Sequence, residues 1–328
     1  MRFDIAIGNP PYQLGSDSIY PKFIETSIKN SDIACMITKD NWLVSPSLMM
    51  CRNSMIENGL KEIKHYAARE EVFEGIRVYT TSFLIERGYK GNVEYKQFKD
   101  GKLVQEYREN LNGWYHIPSS SLELKIIRKV QDFREPSLGL RTVSSMCFGI
   151  GTNGKIGNQL IREKDHADEL YNLELVYMGD SGSTRSTYIK ESDIIKNKDL
   201  IGQYKVACGE KLNQNRSVIS NVQLFGPRQI FTHSYSLMYY TFDRQEAENV
   251  YKYLHTRFVR YLTLSLVDNM CATNSVRFRL VPEQKFTDNS EIDWSASIRE
   301  IDLQLYEKYS LTKEERKYID SILIPKEV

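Results

Sequence analysis

The sequence predicts an α/β chain, with a partial doubly wound sheet in its first hundred residues and a mixed α+β region after it. Over residues 3–88, apolar strand-like runs alternate with stretches of helical spacing in the order β-α-β-α-β. From about residue 140 the pattern changes to short β-like runs between Gly, Asn and Ser clusters. The 328 residues, 41% hydrophobic and 27% charged, have ordinary globular composition and are enough for two cores.

Taken in order, FDIAIG (3–8) reads as a buried strand. Phe23, Ile24 and Ile28 give residues 19–30 a helical face, and DIACMIT (32–38) is a second apolar strand. PSLMMCRNSMIENG (46–59) reads as a helix with Pro46 near its start and Gly59 as its stop. KEIKHYAA and residues 78–88 are further strands. Residues 92–135 turn polar and charged before a helix from Ser120 to Phe133, so the expected division is 1–96, a helical junction over 97–139, and 140–328. In the last part TVSSMCFGIG, LELVYM, GQYKVAC and QIFTHSYSLMYYTF read as strands, and residues 243–267 as one long helix. The tail reads as two helices, with Ile298, Ile301 and Leu305 on one face and Thr312 with Glu315 as a capping box.

A net charge of +1 neither implies nor excludes nucleic acid, because a basic groove can be balanced elsewhere. Five scattered cysteines suggest neither a zinc knuckle nor a disulfide framework, and five dispersed histidines show no ligand spacing, so no metal site is expected. With no signal peptide or long apolar run, the expectation is a soluble, cytoplasmic protein. No Ser-His-Asp order points to a hydrolase, and PEQK (282–285) is a poor echo of a nuclease motif.

The sharpest feature is Asn9-Pro10-Pro11-Tyr12, directly after the first strand. Neither proline has a backbone N–H, and each pushes its predecessor toward extended backbone, which gives a stiff loop with exposed carbonyl oxygens. Such a loop suits an aromatic amine that must act as a nucleophile although its lone pair is delocalised. The Asn9 side-chain oxygen and the Pro10 carbonyl can accept both amine hydrogens and stabilise the charge that develops. Tyr12 can stack on an extruded base, returning about 1–3 kcal/mol of the cost of flipping it. Its place beyond the carboxyl end of a strand is where open α/β sheets bind ligands.

On these residues the chain resembles the adenine-N6 DNA methyltransferases of the Eco57I type, from restriction-modification systems. FDIAIGNPPYQ looks like the family's catalytic loop and leading strand. IYPKFIETSIK, ACMITKDNWL and EEVFEGIRVYTTSFLIERGYKG look like the elements after it. SSMCFGIGTNGK resembles the opening of the target recognition domain, and FVRYLTLSL, FRLVPEQKFT and IDLQLYEKYSLTKEERKYIDSILI its end. The resemblance implies a Rossmann-like methyltransferase sheet followed by a DNA target recognition domain. It makes Asn9 and Pro10 acceptors for the adenine amine, Pro11 the residue that shapes the loop, and Tyr12 the stacking platform. It also implies contact of Asn9 and Pro11 with the methyl end of S-adenosylmethionine, and packing of Tyr79 or Phe83 against the flipped base.

Family members carry a first strand and a Gly-rich cofactor turn upstream of the catalytic strand. The expectation is therefore a split or truncated enzyme, whose cofactor site comes from a second chain, acting on double-stranded DNA. Gly149–Gly154 matches G-x-G-x-x-G but lacks an apolar helical stripe directly after it, and reads as a loop that approaches DNA. Thr152, Asn153, Lys155, Arg185, Lys211, Arg216 and Arg277 are the expected DNA contacts, within a wider set that includes Lys190, Lys205, Arg228 and Arg279. The alternative is a catalytically inactive DNA-binding or protein-binding specificity module.

Overall fold

The computed structural model describes residues 2–15, 17–68, 72–74, 78–143, 146–151, 155–156, 159–160, 162–179, 183–212, 217–267 and 271–323. The chain divides into two compact units, Met1–Lys125 and Ile126–Val328.

The first unit runs β1 (Phe3–Gly8), β2 (Gln13–Leu14), β3 (Asp17–Ser18), α1 (Tyr20–Asn30), β4 (Ser31–Lys39), α2 (Met49–Glu57), β5 (Leu60–Tyr66), β6 (Thr80–Glu86), β7 (Val93–Lys99) and β8 (Lys102–Glu109). A helix α3 (Ser121–Asp132) spans the boundary between the units. Six strands form one sheet in the order β1-β4-β6-β5-β7-β8. The pairs β1/β4 and β5/β7 are parallel, whereas β6 is antiparallel to β4 and β5, and β8 to β7. The β1-α1-β4 and β4-α2-β5 connections are helical crossovers, as the periodicity predicts.

Alternation along the strands divides the sheet into two faces. Met36, Phe83, Ile63 and Tyr95 lie opposite one another across β4, β6, β5 and β7, and are buried with Tyr20 and Ile24 of α1 and Cys51 and Met55 of α2. Trp42, just beyond β4, packs edge-on against Phe83 at 5.9 Å. On the other face the corresponding row is Ile7, Cys35, Leu84, Glu62, Glu94 and Arg108, none of them buried.

The expectation that FDIAIG is buried is corrected. Among the described residues β1 is an edge strand paired only with β4, and Phe3, Ile5 and Ile7 are 56%, 54% and 79% exposed. An apolar run reads as a strand covered on both faces, but composition does not say whether the cover lies in the same unit. Residues 97–109 also differ from the expected helical junction. They belong to the β7-β8 hairpin, which turns at Asp100 (φ 51°) and Gly101 (φ 72°).

The second unit runs β9 (Lys155–Ile156), β10 (Gln159–Leu160), β11 (Leu173–Met178), β12 (Thr184–Ile189), β13 (Tyr204–Gly209), β14 (Lys211–Leu212), β15 (Gln223–Phe225), β16 (Gln229–Phe231), β17 (Tyr235–Thr241), α4 (Arg244–His255), α5 (Arg257–Leu264), β18 (Cys271–Ala272), α6 (Ile298–Lys308) and α7 (Lys313–Ile322). Its three-stranded sheets are β12-β11-β16 and β15-β13-β17, and β9/β10 and β14/β18 are isolated pairs. The single helix expected over 243–267 is two helices. Thr256 turns extended (ψ 149°) and caps α5 by accepting from the Val259 N–H. Asp302, from α6, accepts the N–H groups of Arg257 and Phe258, each at 3.0 Å. The tail follows expectation, with a Thr312–Glu315 capping box at α7, and α6 has a second box from Ser297 and Glu300.

Lys205 is fully buried, and its ammonium donates to the carbonyls of Gln203 (2.7 Å), Leu200 (3.1 Å) and Gly226 (3.2 Å). It is thus an internal clamp and not a DNA contact. Burial pushes its pKa from 10.5 down to about 8. Below about pH 8 the amine is protonated in both folded and unfolded chains, whereas between about 8 and 10.5 only the unfolded chain keeps the proton. Stability from this group therefore rises with pH across that window. Urea unfolding of wild type and Lys205→Met at pH 8 and 9.5 is expected to show wild type gaining about 1.5 kcal/mol relative to the variant, at 1.36 kcal/mol per unit and with the folded amine still half protonated at pH 8. Equal slopes in the two proteins would refute the assignment.

Candidate active site

Asn9-Pro10-Pro11-Tyr12 leaves the carboxyl end of β1, where the ladder to β4 ends at Gly8 opposite Met36. The small β2-β3 hairpin follows, turning at Gly15 with φ +63°, and the Ile19 N–H donates to the Tyr12 carbonyl at 3.2 Å to close the loop. Pro21 then starts α1. The Tyr20 hydroxyl is part of the buried core and donates to Asn41 Oδ1 at 2.7 Å, tying the exit of the loop to the segment after β4. Pro10 is buried, whereas Asn9 and Pro11 are exposed.

Among the described residues, neither the Asn9 side chain nor the Pro10 carbonyl has a hydrogen-bond partner. Tyr12 is half-buried. Its hydroxyl is shielded from solvent without a partner, and burial pushes the phenol pKa up, so it remains a neutral aromatic surface. The loop therefore offers two acceptor oxygens beside a flat neutral ring.

The carboxyl ends of β4 and β5 bring further polar groups to the same edge of the sheet. Asp40 donates its N–H to the Tyr79 carbonyl at 3.2 Å, and its Oδ2 lies 3.4 Å from His65 Nε2. His65 Nδ1 is 2.9 Å from the Tyr95 hydroxyl and 3.3 Å from Gln97 Nε2. Beneath them Arg52, fully buried, donates to the Trp42 carbonyl at 2.5 Å, the Ser45 carbonyl at 3.3 Å and the Tyr115 carbonyl, and so fixes the turn after β4. Burial lowers its pKa to about 10, still cationic at neutral pH. Sequence reasoning missed Asp40, Asn41 and His65, although the strand ends at KDN and KHY were visible.

The other expected residues divide sharply. Thr152, Asn153, Arg216 and the Lys155 side chain lie outside the described residues. Arg185 is exposed on β12 and Lys211 on β14, in separate sheets. Arg277 is 6% exposed and donates to the Leu266 carbonyl, so the expectation that it reaches DNA is corrected: it closes the chain after α5. Arg228 is held by Glu191 (3.0 Å) and the Asn172 carbonyl (3.1 Å), and Lys190 lies over the Tyr171 ring. Phe83 is 2% exposed in the core and cannot pack on a flipped base. Among the described residues no group of three or more His, Cys, Asp or Glu could hold a metal, and no helix is long and apolar enough to cross a membrane.

No family model matches the chain, and no curated protein matches it. Solved structures overlap it partially. The type IIL restriction-modification enzyme MmeI, in complex with DNA, is 9% identical over 98% of this chain and 52% of its own, with a TM-score of 0.47. The type IIG restriction endonuclease BpuSI is 10% identical over 92% of this chain and 45% of its own, with a TM-score of 0.34. The M protein of the type I restriction enzyme EcoKI is 15% identical over 29% of this chain and 25% of its own, with a TM-score of 0.26. The chain thus spans from a quarter to about half of the length of these proteins.

An orphaned hydroxyl in a shielded site gives stability nothing back for its lost hydration. Tyr12→Phe is therefore expected to unfold in urea with a free energy equal to wild type or up to about 1 kcal/mol higher. A loss of more than that would mean that the hydroxyl has a partner in solution.

Proposed function

We propose that this chain is the catalytic-loop and target-recognition part of a restriction-modification DNA methyltransferase, acting on the N6 amine of a flipped adenine. The observation that carries this reading is the loop at the end of β1, where two unpartnered acceptor oxygens lie beside a neutral, half-buried ring. Asn9 Oδ1 and the Pro10 carbonyl hold the two amine hydrogens. As the nitrogen takes on positive charge in forming its new N–C bond, these fixed dipoles stabilise it without reorganising. Tyr12 stacks on the base and offsets the cost of taking it out of the duplex. The excess proton leaves from the amine to solvent along the acceptors. S-adenosylmethionine would supply the methyl group, its S–CH3 bond breaking as the N–C bond forms and the thioether S-adenosylhomocysteine leaving; Asn9 and Pro11 would meet its methyl end, and a second polypeptide would hold the remainder. Arg185 and Lys211, exposed in the second unit, contact double-stranded DNA, joined by Thr152, Asn153, Lys155 and Arg216.

A second reading is a specificity module without catalysis. It is favoured by the lack, among the described residues, of any closely spaced glycine run between a strand and a helix that could cradle the cofactor. Calorimetric titration of the chain with S-adenosylmethionine counts against this module if heat of binding is seen.

Radiolabelled methyl transfer to DNA, with the cofactor half supplied by a second polypeptide, tests the main reading. Asn9→Ala is expected to lower kcat about 10²–10³-fold, the usual effect of removing one fixed charge-stabilising partner. Tyr12→Ala should lower kcat/KM by about 10–100-fold through lost stacking, and Tyr12→Phe should stay near wild type. Absence of methyl transfer with every polypeptide supplied sinks the proposal.

A further inference from the structure

At the carboxyl edge of the first unit's sheet the fold leaves a hydrogen-bond donor as well as the loop's two acceptors. β1 and β4 are adjacent and parallel, so the chain leaves both at the same edge, one strand spacing of about 4.8 Å apart. From β1 it enters Asn9–Tyr12, and from β4 it enters the turn Asp40–Leu43. Two bonds join these segments: the Ile19 N–H donates to the Tyr12 carbonyl at 3.2 Å, and the next residue, Tyr20, donates its hydroxyl to Asn41 Oδ1 at 2.7 Å. Burial pushes the Tyr20 phenol well above its ordinary pKa, so the hydroxyl keeps its proton and remains the donor. That fixes which way the Asn41 amide lies. Its oxygen is taken by Tyr20, and its nitrogen carries two N–H groups with no partner among the described residues. The adjacent acid does not take them. His65 Nδ1 faces the Tyr95 hydroxyl and the Gln97 amide nitrogen, which leaves the imidazole proton on Nε2, and Asp40 Oδ2 lies 3.4 Å from that nitrogen. Asn41 is half-buried, so its donors are held at the rim of the sheet.

We propose that Asn41 Nδ2 donates to a ring nitrogen flanking the amine of the flipped base, N1 or N7 of adenine, and so helps to set which base the site accepts. The inference deepens the proposed function and rests on it. A flipped adenine held through both amine hydrogens presents an acceptor nitrogen on each side of the amine, N1 on its pairing edge and N7 on the other. The loop's oxygens cannot bond either nitrogen; a fixed N–H can. Guanine and thymine are turned away at the amine position, where a carbonyl oxygen meets the loop's acceptors, and on the pairing edge their ring N–H also meets the Asn41 donors. Polar groups left facing their own kind reject a base more strongly than a missing contact does. Cytosine shares the amine and the pairing-edge nitrogen but has no N7, so the side that Asn41 reads decides whether hydrogen bonding tells it from adenine. The loop alone describes an amine, whereas the loop with Asn41 describes an amine beside a ring nitrogen.

The full chain is to be titrated with deoxyadenosine, 1-deazadeoxyadenosine and 7-deazadeoxyadenosine at millimolar concentration, with binding read from the Asn9 side-chain amide resonances by NMR. Wild type is expected to bind deoxyadenosine and to lose about 3–10-fold in affinity for the one deaza nucleoside that lacks the contacted nitrogen, the effect of one net hydrogen bond. Asn41→Asp keeps an oxygen for Tyr20 and puts an acceptor where the donor was. It should weaken deoxyadenosine by about tenfold or more and bind that same deaza nucleoside at least as tightly as deoxyadenosine. Circular dichroism checks that the variant is folded, and the wild-type comparison of three nucleosides stands without it. Equal affinity of wild type for all three, a preference unchanged in Asn41→Asp, or no binding of deoxyadenosine each overturns the inference. Methyl transfer that depends on Asn9 but proceeds equally on adenine and both deaza analogues placed in DNA removes this contact and leaves the proposed function standing. Nucleosides discriminated through Asn41 without any methyl transfer to DNA do the reverse.

Discussion

The parallel ladder between β1 and β4 is the constraint on which the candidate site depends. No side chain of β1 belongs to the buried core. Asn9–Tyr12 is therefore placed by backbone pairing from Phe3 opposite Ser31 to Gly8 opposite Met36, and by two ties beyond it, Ile19 to Tyr12 and Tyr20 to Asn41. β4 is itself held from both sides, by β6 in the sheet and by Tyr20, Ile24 and Trp42 in the core. Rigidity thus passes from the core to β4, from β4 to β1, and from β1 to the two acceptor oxygens. Fixed dipoles stabilise developing charge only if they need not move to do so, so the usefulness of the loop depends on that chain of supports.

Much of the first unit was legible because its signals are local. Helical spacing over 19–30 matches Tyr20–Asn30, and the apolar run at 32–38 matches Ser31–Lys39. What was not legible is non-local. Nothing in residues 78–88 says that this strand inserts antiparallel between β4 and β5, because sheet order is decided by pairing partners far apart in sequence. The exposure of Phe3, Ile5 and Ile7 was hidden for a related reason: apolar side chains record a tendency to be covered, not the location of the cover. The β7-β8 hairpin did carry a readable signal, the Asp100-Gly101 turn, which the density of charge around it obscured.

The candidate site divides in the same way. Its loop is contiguous, and proline chemistry makes it conspicuous. Asp40, Asn41 and His65 arrive from the ends of other strands, and only the folded sheet brings them to that edge. Cations were misjudged where backbone carbonyls serve as their partners. Lys205 and Arg277 look solvated in the sequence, yet each is buried and donates to backbone carbonyls, partners that the sequence does not mark. The break at Thr256 is similar. The apolar spacing runs straight through it, and the residue that fixes the break, Asp302, caps α5 from another helix.

An edge strand carries a penalty in local stability that bears directly on the chemistry. A strand paired on one side, with its side chains in solvent, is the part of a sheet that opens at the lowest free energy. An opening of β1 also loosens the ladder that leads into Asn9 and Pro10, although Pro10 is itself buried. Whatever pairs with the free edge raises the free energy of that opening and with it the fraction of molecules whose acceptors are in place. By linkage, if the proposed base is held between the acceptors and Tyr12 it favours the closed strand. On the proposed reading, binding of a base at the loop and closure of β1 would be coupled through this one short ladder, without any need for a long path through the core.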